Sequence, residues 1–286
     1  MSNPAISYTR ITRVQDTIVT ATEDALAAEE PLEIQLIHGP AANRQQQSVS
    51  VTMRTPGQDP ELAIGFLFTE GIIRSEKDVK AISSESEITN TILVSLHEHV
   101  CPALTSSQRN FVSNAGCGMC GKTDITAIYT PVSKTSPAAT TGWKWPASMI
   151  TQLPDILRKQ QQLFEDTGGI HAAALFDPSA TPLLMREDIG RHNAVDKLIG
   201  AALQQQLFPM DNYLLLLSGR AGFELIQKAA MAGIKVIAAV GAPSGMAVKM
   251  AREWDITLIG FLRQQRFNIY NGEKRIAITN TTVSTH

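Results

Sequence analysis

The sequence predicts an α/β protein in two parts: a C-terminal α/β domain preceded by a smaller N-terminal α+β domain. Three observations carry this. Continuous apolar runs at 213–217, 234–240 and 256–262 alternate with helical stretches, the pattern of parallel strands buried on both faces. In the first half, apolar residues alternate with polar ones around one clear helix, as in half-buried strands. Between the halves, TPVSKTSPAATTGWKWP at 130–146 shifts to Pro, Ser and Thr. That shift places the junction there and the domains at 1–135 and 146–286, in keeping with a length of 286 residues.

Each element has a local reason. Leu32, Ile34 and Leu36 alternate, as do Val49, Val51 and Met53, and both stretches read as strands. Asp59-Pro60-Glu61 opens a helix, with Asp59 as the cap and proline in the first turn. Leu62, Ile64, Phe66 and Leu67 fill it, and it stops near Gly71. Residues 88–96 read as a further strand. One helix is expected over 147–164, with Ile150, Leu153, Ile156, Leu157 and Phe164 on its apolar face. Residues 171–176 and 182–185 form a strand pair around the Asp177-Pro178 turn. Helices follow at 193–207, 222–231 and 244–254, each leading into one of the continuous apolar strands.

Composition excludes some classes of function. The formal net charge of -2 and the lack of a basic run give no footprint for nucleic acid. No apolar run approaches a bilayer span, and MSNPAISYTR has no apolar signal segment. Three cysteines, an odd number, do not make a disulfide framework. A soluble cytoplasmic protein with reduced thiols is expected, with no nucleic-acid or membrane partner.

The chemistry concentrates in SNAGCGMCGK, where Cys117 and Cys120 stand among Gly116, Gly118 and Gly121. Glycines give the backbone freedom and leave the thiols unscreened. A Cys-x-x-Cys can cycle between dithiol and disulfide, supply two zinc ligands, or carry sulfur as a persulfide. Zinc would need further ligands, and Cys101, His97, His99, His171 and His192 are not at paired spacing, so no structural metal is expected. Lys122 is near enough in sequence to favour a thiolate. Cys101, outside the loop, is expected to pack as a small apolar side chain.

Parallel sheets bind ligands at the carboxyl ends of their strands. Three polar clusters fall there: Ser218-Gly219-Arg220, Gly241-Ala242-Pro243-Ser244, and Phe261-Leu262-Arg263-Gln264-Gln265-Arg266. Two of them open a helix, where free N–H groups favour an anion, and the arginines add bidentate phosphate donors. Together they point to a phosphorylated ligand. REDIGRHNAVDK, 186–197, packs further polar side chains at a strand-to-helix transition, with His192 either a ligand contact or a satisfied helix-start residue.

Five segments, NAGCGMCGK, TGGIHAAALFD, REDIGRHNAVDKLIG, SGRAGFELIQKAA and VGAPSGMAVKMA, resemble in this order the FdhD family, the sulfur carriers required by formate dehydrogenases. The resemblance implies a cytidine-deaminase-like fold for the C-terminal domain. It implies a sulfurtransferase that takes persulfide sulfur from a cysteine desulfurase and passes it to the molybdenum bis(molybdopterin guanine dinucleotide) cofactor, bound as substrate, before that cofactor enters formate dehydrogenase. The carrier falls on Cys117, with Cys120 secondary. The guanine-dinucleotide contact segment falls on Phe261, Leu262, Arg263, Gln264, Gln265 and Arg266, beside Ser218, Gly219, Arg220 and His192, and GDP should bind as an analogue. A homodimer is also implied.

Two other functions fit parts of this pattern. A zinc deaminase needs H-x-E followed by P-C-x-x-C. Here His171-Ala172-Ala173 lacks the glutamate and the cysteine pair precedes the histidine. A non-catalytic chaperone for the molybdenum cofactor would use the same binding edge, its cysteines only steadying the site.

Overall fold

The computed structural model describes residues 3–84, 90–104 and 143–278. Cys117, Cys120, their glycine-rich surroundings and most of the expected domain junction lie outside the described residues.

The chain begins with a two-stranded antiparallel ribbon, β1 (Ile6–Gln15) and β2 (Ile18–Ala27), joined through Asp16 at φ +53°. The sequence pattern did not reveal it. Its side chains are mostly exposed and none is buried, even where the helix at Gln162–Thr167 lies against β2, so no apolar alternation marks it. β3 (Glu30–His38), β4 (Gln45–Arg54), β5 (Val79–Ser84) and β6 (Thr91–Leu96) form a second sheet in the order β4-β3-β6-β5. β3 runs antiparallel to β4 and parallel to β6. Leu32, Ile34, Leu36, Ile92, Val94 and Leu96 are buried, as their period of two requires.

Helix α1 (Asp59–Thr69) starts one residue earlier than expected: its cap position is Gln58, at φ +55°. Asp59 is not the cap, because its carboxylate is taken by Arg54, whose Nε and Nη2 each donate to it at 2.9 Å.

Residues 147–164 are not one helix. After the short strand β7 (Trp145–Pro146) come α2 (Ala147–Ile150), α3 (Leu153–Gln160) and α4 (Gln162–Thr167). Pro154 explains the first break, since proline lacks the N–H that would continue α2 and its ring crowds the preceding turn. The second break is at Gln161, with φ −79° and ψ 77°. There the Glu187 carboxylate accepts from the N–H groups of Leu163 and Phe164, both at 3.2 Å, and so holds the new helix start.

The rest of the chain alternates. β8 (His171–Phe176), β9 (Pro182–Asp188), α5 (Arg191–Gln204), β10 (Leu214–Leu217), α6 (Phe223–Met231), β11 (Val236–Ala239), α7 (Gly245–Glu253), β12 (Thr257–Arg263) and β13 (Arg266–Asn271) follow, then β14 (Ile276–Ala277) on β7. The six-stranded sheet has the order β13-β12-β11-β10-β8-β9. β10, β11 and β12 are parallel and β13 turns back antiparallel at the edge. The three continuous apolar runs are thus the buried parallel centre of this sheet.

The described residues group into two compact units. One takes residues 3–84 and 90–104 with 161–173 and 185–208, the other 143–160, 174–184 and 209–278. The chain passes between them within β8 and β9. In the first unit α1 packs on α5 through reciprocal glycines. A Cβ on Gly65 would overlap the Asp196 carbonyl oxygen, and one on Gly200 would overlap that of Glu61. No helix among the described residues is long and apolar enough to cross a membrane.

Candidate functional site

In the second unit, the turns after β10 and β11 are tied into one edge. Val240 N–H donates to the Leu217 carbonyl at 3.0 Å, and Gly241 N–H to the Gly219 carbonyl at 2.9 Å. Ala221 N–H donates to Ala242 at 3.2 Å, Ser244 N–H to Ala221 at 2.9 Å, and Phe261 N–H to Gly241 at 3.0 Å. The clusters after β10 and β11 and Phe261 of the third are therefore neighbours in space as well as in topology.

Glycines make that approach possible. A Cβ on Gly241 would stand 2.9 Å from both the Arg220 nitrogen and the Gly219 oxygen. One on Gly260 would stand 2.6 Å from Pro243 Cδ. The Ser244 hydroxyl accepts from Ala247 N–H at 3.1 Å and caps α7.

Phe261 is the unusual residue of the edge. It sits at φ +51° within an irregular stretch of the β12–β13 ladder, and its ring is exposed. The left-handed region costs a non-glycine residue about 1–2 kcal/mol. The bond from its N–H to Gly241 helps hold it there, so an aromatic face is presented to solvent beside the two turns. Rings in this setting can stack on a base.

The other predicted contacts separate by role. Arg220, Gln265 and Arg266 are exposed. Arg263, also exposed, donates through Nη1 to the carbonyls of Val240 and Leu262, so it braces the edge. Gln264 donates to Asp155 at 3.2 Å. Leu262 is fully buried in the core, where its side chain anchors the segment. Ser218 and Gly219 lie in the first turn, both half-buried. His192 belongs to the first compact unit, buried in the opening turn of α5.

Around His192 lies a buried polar network that the sequence did not announce. Lys197 and Asp188 are both fully buried and pair at 2.7 Å. Lys197 Nζ also donates to the Thr55 carbonyl at 2.8 Å, and the Thr55 N–H donates to Asp188 at 3.2 Å. The other Asp188 oxygen accepts from Gly190 N–H at 2.8 Å and from Asn193 Nδ2 at 3.2 Å. Asn193 Nδ2 also reaches the Met53 carbonyl at 2.8 Å. Burial pushes the Asp188 carboxyl above its ordinary range, against the pull of Lys197 and these donors. Glu187 is raised too, by burial, against its bonds from Leu163 and Phe164. Asp188, Asn193 and Lys197 were visible as polar residues in REDIGRHNAVDK. Thr55, more than a hundred residues away, carried no signal.

Among the described residues, no group of three His, Cys, Asp or Glu side chains could hold a metal ion. Cys101 is exposed. This corrects the expectation that it packs as a small apolar side chain. It lies beyond the end of β6, after a turn closed by Val100 N–H on the His97 carbonyl.

The FdhD/NarQ family model matches residues 27–277. The chain belongs to the FdhD/NarQ family. A member from Mycolicibacterium paratuberculosis, named sulfur carrier protein FdhD, is 46% identical over 277 residues, covering 94% of this chain and 98% of its own. The Streptomyces coelicolor protein of the same name is 42% identical over 280 residues, covering 94% and 95%. The crystal structure of a protein described as a formate dehydrogenase accessory protein, from Desulfotalea psychrophila, superposes with a TM-score of 0.70. It covers 96% of this chain and all of that one at 21% identity, a likeness of fold. Across the FdhD/NarQ match, the tied turns, Phe261 and the Asp188–Lys197 pair all fall inside the matched residues.

Proposed function

We propose that this protein is a sulfur carrier, a sulfurtransferase serving formate dehydrogenase. It accepts persulfide sulfur from a cysteine desulfurase and delivers it to molybdenum bis(molybdopterin guanine dinucleotide), which is its substrate. The observation that carries the reading is the edge of the second unit. Backbone bonds draw two turns and Phe261 together, while Arg220 and Arg266 remain exposed to meet phosphate. This edge occurs in a chain whose relatives are named sulfur carriers. We read the second unit as the cytidine-deaminase-like domain, the cofactor's guanine end as the part held at this edge, and the working protein as a cytoplasmic homodimer.

The sulfur chemistry balances on the two cysteines. The Cys117 thiolate attacks the terminal sulfur of the desulfurase persulfide. A new S–S bond forms on Cys117 as the donor's breaks, and the donor leaves as a thiolate. In delivery, the Cys120 thiolate attacks the Cys117 sulfur and hydrosulfide leaves toward the molybdenum. The two electrons come from the thiols, which end as a disulfide, and an external thiol reductant restores them.

The test is mass spectrometry after incubation with a desulfurase and cysteine. One added sulfur, removable by reductant, is expected on Cys117. In cells, Cys117→Ala should abolish formate dehydrogenase activity, Cys120→Ala should leave part of it because outside thiols can resolve the persulfide, and Cys101→Ala should be nearly silent. Full activity in Cys117→Ala at normal abundance removes the carrier role and leaves the non-catalytic chaperone.

A further inference from the structure

The N-terminal ribbon plays no part in the edge just described, yet it holds five of the nine large hydrophobic residues exposed among the described residues: Tyr8, Val14, Ile18, Val19 and Leu26. Among the described residues it joins no larger sheet. A two-stranded ribbon is marginal alone in water, and its open edges are templates for another strand. We infer that the free edge of β1 docks against β1 of a second copy of this chain, giving a four-stranded sheet across a two-fold axis. This rests on the homodimer reading above and names its interface.

Three features select β1 and a second copy. First, α4 lies against β2, whereas β1 is exposed along nearly its whole length. Second, the charges are segregated. β1 carries Arg10 and Arg13 and no acid, while β2 carries Glu23 and Asp24 and no base. Pairing β2 with itself would set the acids of two copies side by side. Pairing β1 with β2 of another copy is head-to-tail and builds an open chain of subunits. Pairing β1 with itself closes. It leaves each Arg10 beside its own Glu23, its cross-strand partner in the ribbon.

Third, the side chains match in one register. With the two-fold axis at Ile11, Ile11 meets the partner's Ile11, Arg10 faces the partner's Thr12, and Tyr8 faces the partner's Val14. Within each ribbon Tyr8 is opposite Ala25 and Val14 opposite Val19. Two apolar rows therefore cross all four strands, each Ala25–Tyr8–Val14–Val19, with the Arg10–Glu23 pairs between them. Tyr8 and Val14 are 66% and 65% exposed in the single chain, which makes them unusual positions for a tyrosine ring and a valine.

The experiment is the solution mass of the full chain, by light scattering at micromolar concentration, for three proteins. Wild type should be a dimer. Tyr8→Lys with Val14→Lys sets lysine against lysine in both rows and should give a monomer with an unchanged far-ultraviolet spectrum. Tyr8→Glu with Val14→Lys sets glutamate against lysine across the axis and should restore the dimer. A lysine double variant that stays dimeric overturns the β1 interface while leaving the homodimer reading intact. A monomeric wild type overturns both. A lysine double variant whose mass is unchanged but which loses sulfur uptake from the desulfurase overturns it in favour of the desulfurase as the occupant.

Discussion

Replacing Lys197 by methionine tests what the buried network contributes. The substitution keeps the length and apolar stem but removes the 2.7 Å pair with Asp188 and the bond to the Thr55 carbonyl. Asp188 keeps its three N–H donors and loses its only ion-pair partner in the network. Breaking one side of a buried pair costs about 3–5 kcal/mol. Against a net stability of about 5–15 kcal/mol, that is a large share. With a urea dependence of about 1–3 kcal/mol per molar, the midpoint should fall by roughly 1–5 M. Asp188→Asn alone should cost a similar amount, because it strands the lysine. The double variant carries neither charge and should lose only hydrogen bonds, about 1–2 kcal/mol. The assay is urea unfolding of all four proteins.

Proton linkage gives the cycle a second readout. Burial raises the Asp188 carboxyl, and removal of Lys197 raises it further. A carboxyl raised in the folded state binds its proton more tightly there than in the unfolded chain. Stability is then greatest below the unfolded value and is lost as pH rises through the folded one. The deficit of Lys197→Met should therefore shrink as pH is lowered from neutrality toward the unfolded value. An additive cycle, or a deficit that grows on acidification, would refute the reasoning.

Three other substitutions test the packing and the edge. Gly65→Val should lower the melting temperature by several degrees, for overpacking of about 1–3 kcal/mol or more, because its side chain would enter the Asp196 backbone; calorimetry reads this, and an unchanged Tm would show that α1 can shift off α5. Arg266→Ala should weaken GDP binding by roughly tenfold, about 1.4 kcal/mol, and make it less salt-sensitive. Arg263→Ala should instead lower stability through the lost bond to Val240, and calorimetry with both variants separates the roles.

The pattern in the chain was most legible where burial imposes a period. The central strands and the helices between them were readable because buried runs and amphipathic faces repeat at fixed spacing. The β1–β2 ribbon escapes the pattern for the converse reason: with none of its side chains buried, Thr, Arg and Val are equally acceptable along it. The break at Pro154 was legible in principle, since the proline stands in the sequence, but the apolar face from Ile150 to Phe164 argued for continuity. The break at Gln161 was not, because it depends on Glu187 arriving from another strand. The 130–146 stretch is marked by a shift in composition, and the exchange of the chain between the compact units within β8 and β9 carries no such mark.

For the site, residue types alone set the chemistry on offer: two cysteines among glycines, three polar clusters at strand ends, and motif segments that resemble the FdhD family. These are local properties, set by residue types within a few positions. How those residues divide depends on contacts made across the fold. Leu262 and Arg263 directly follow Phe261 in the chain, yet Arg263 braces the Val240 carbonyl and Leu262 is core, while Phe261 is turned outward at positive φ. Likewise Asp188 and Lys197 become a buried pair only because Thr55 comes from a distant strand end to accept and donate between them. Hydrogen bonds and burial depend on what folds back from far along the chain, and no spacing within a motif encodes that.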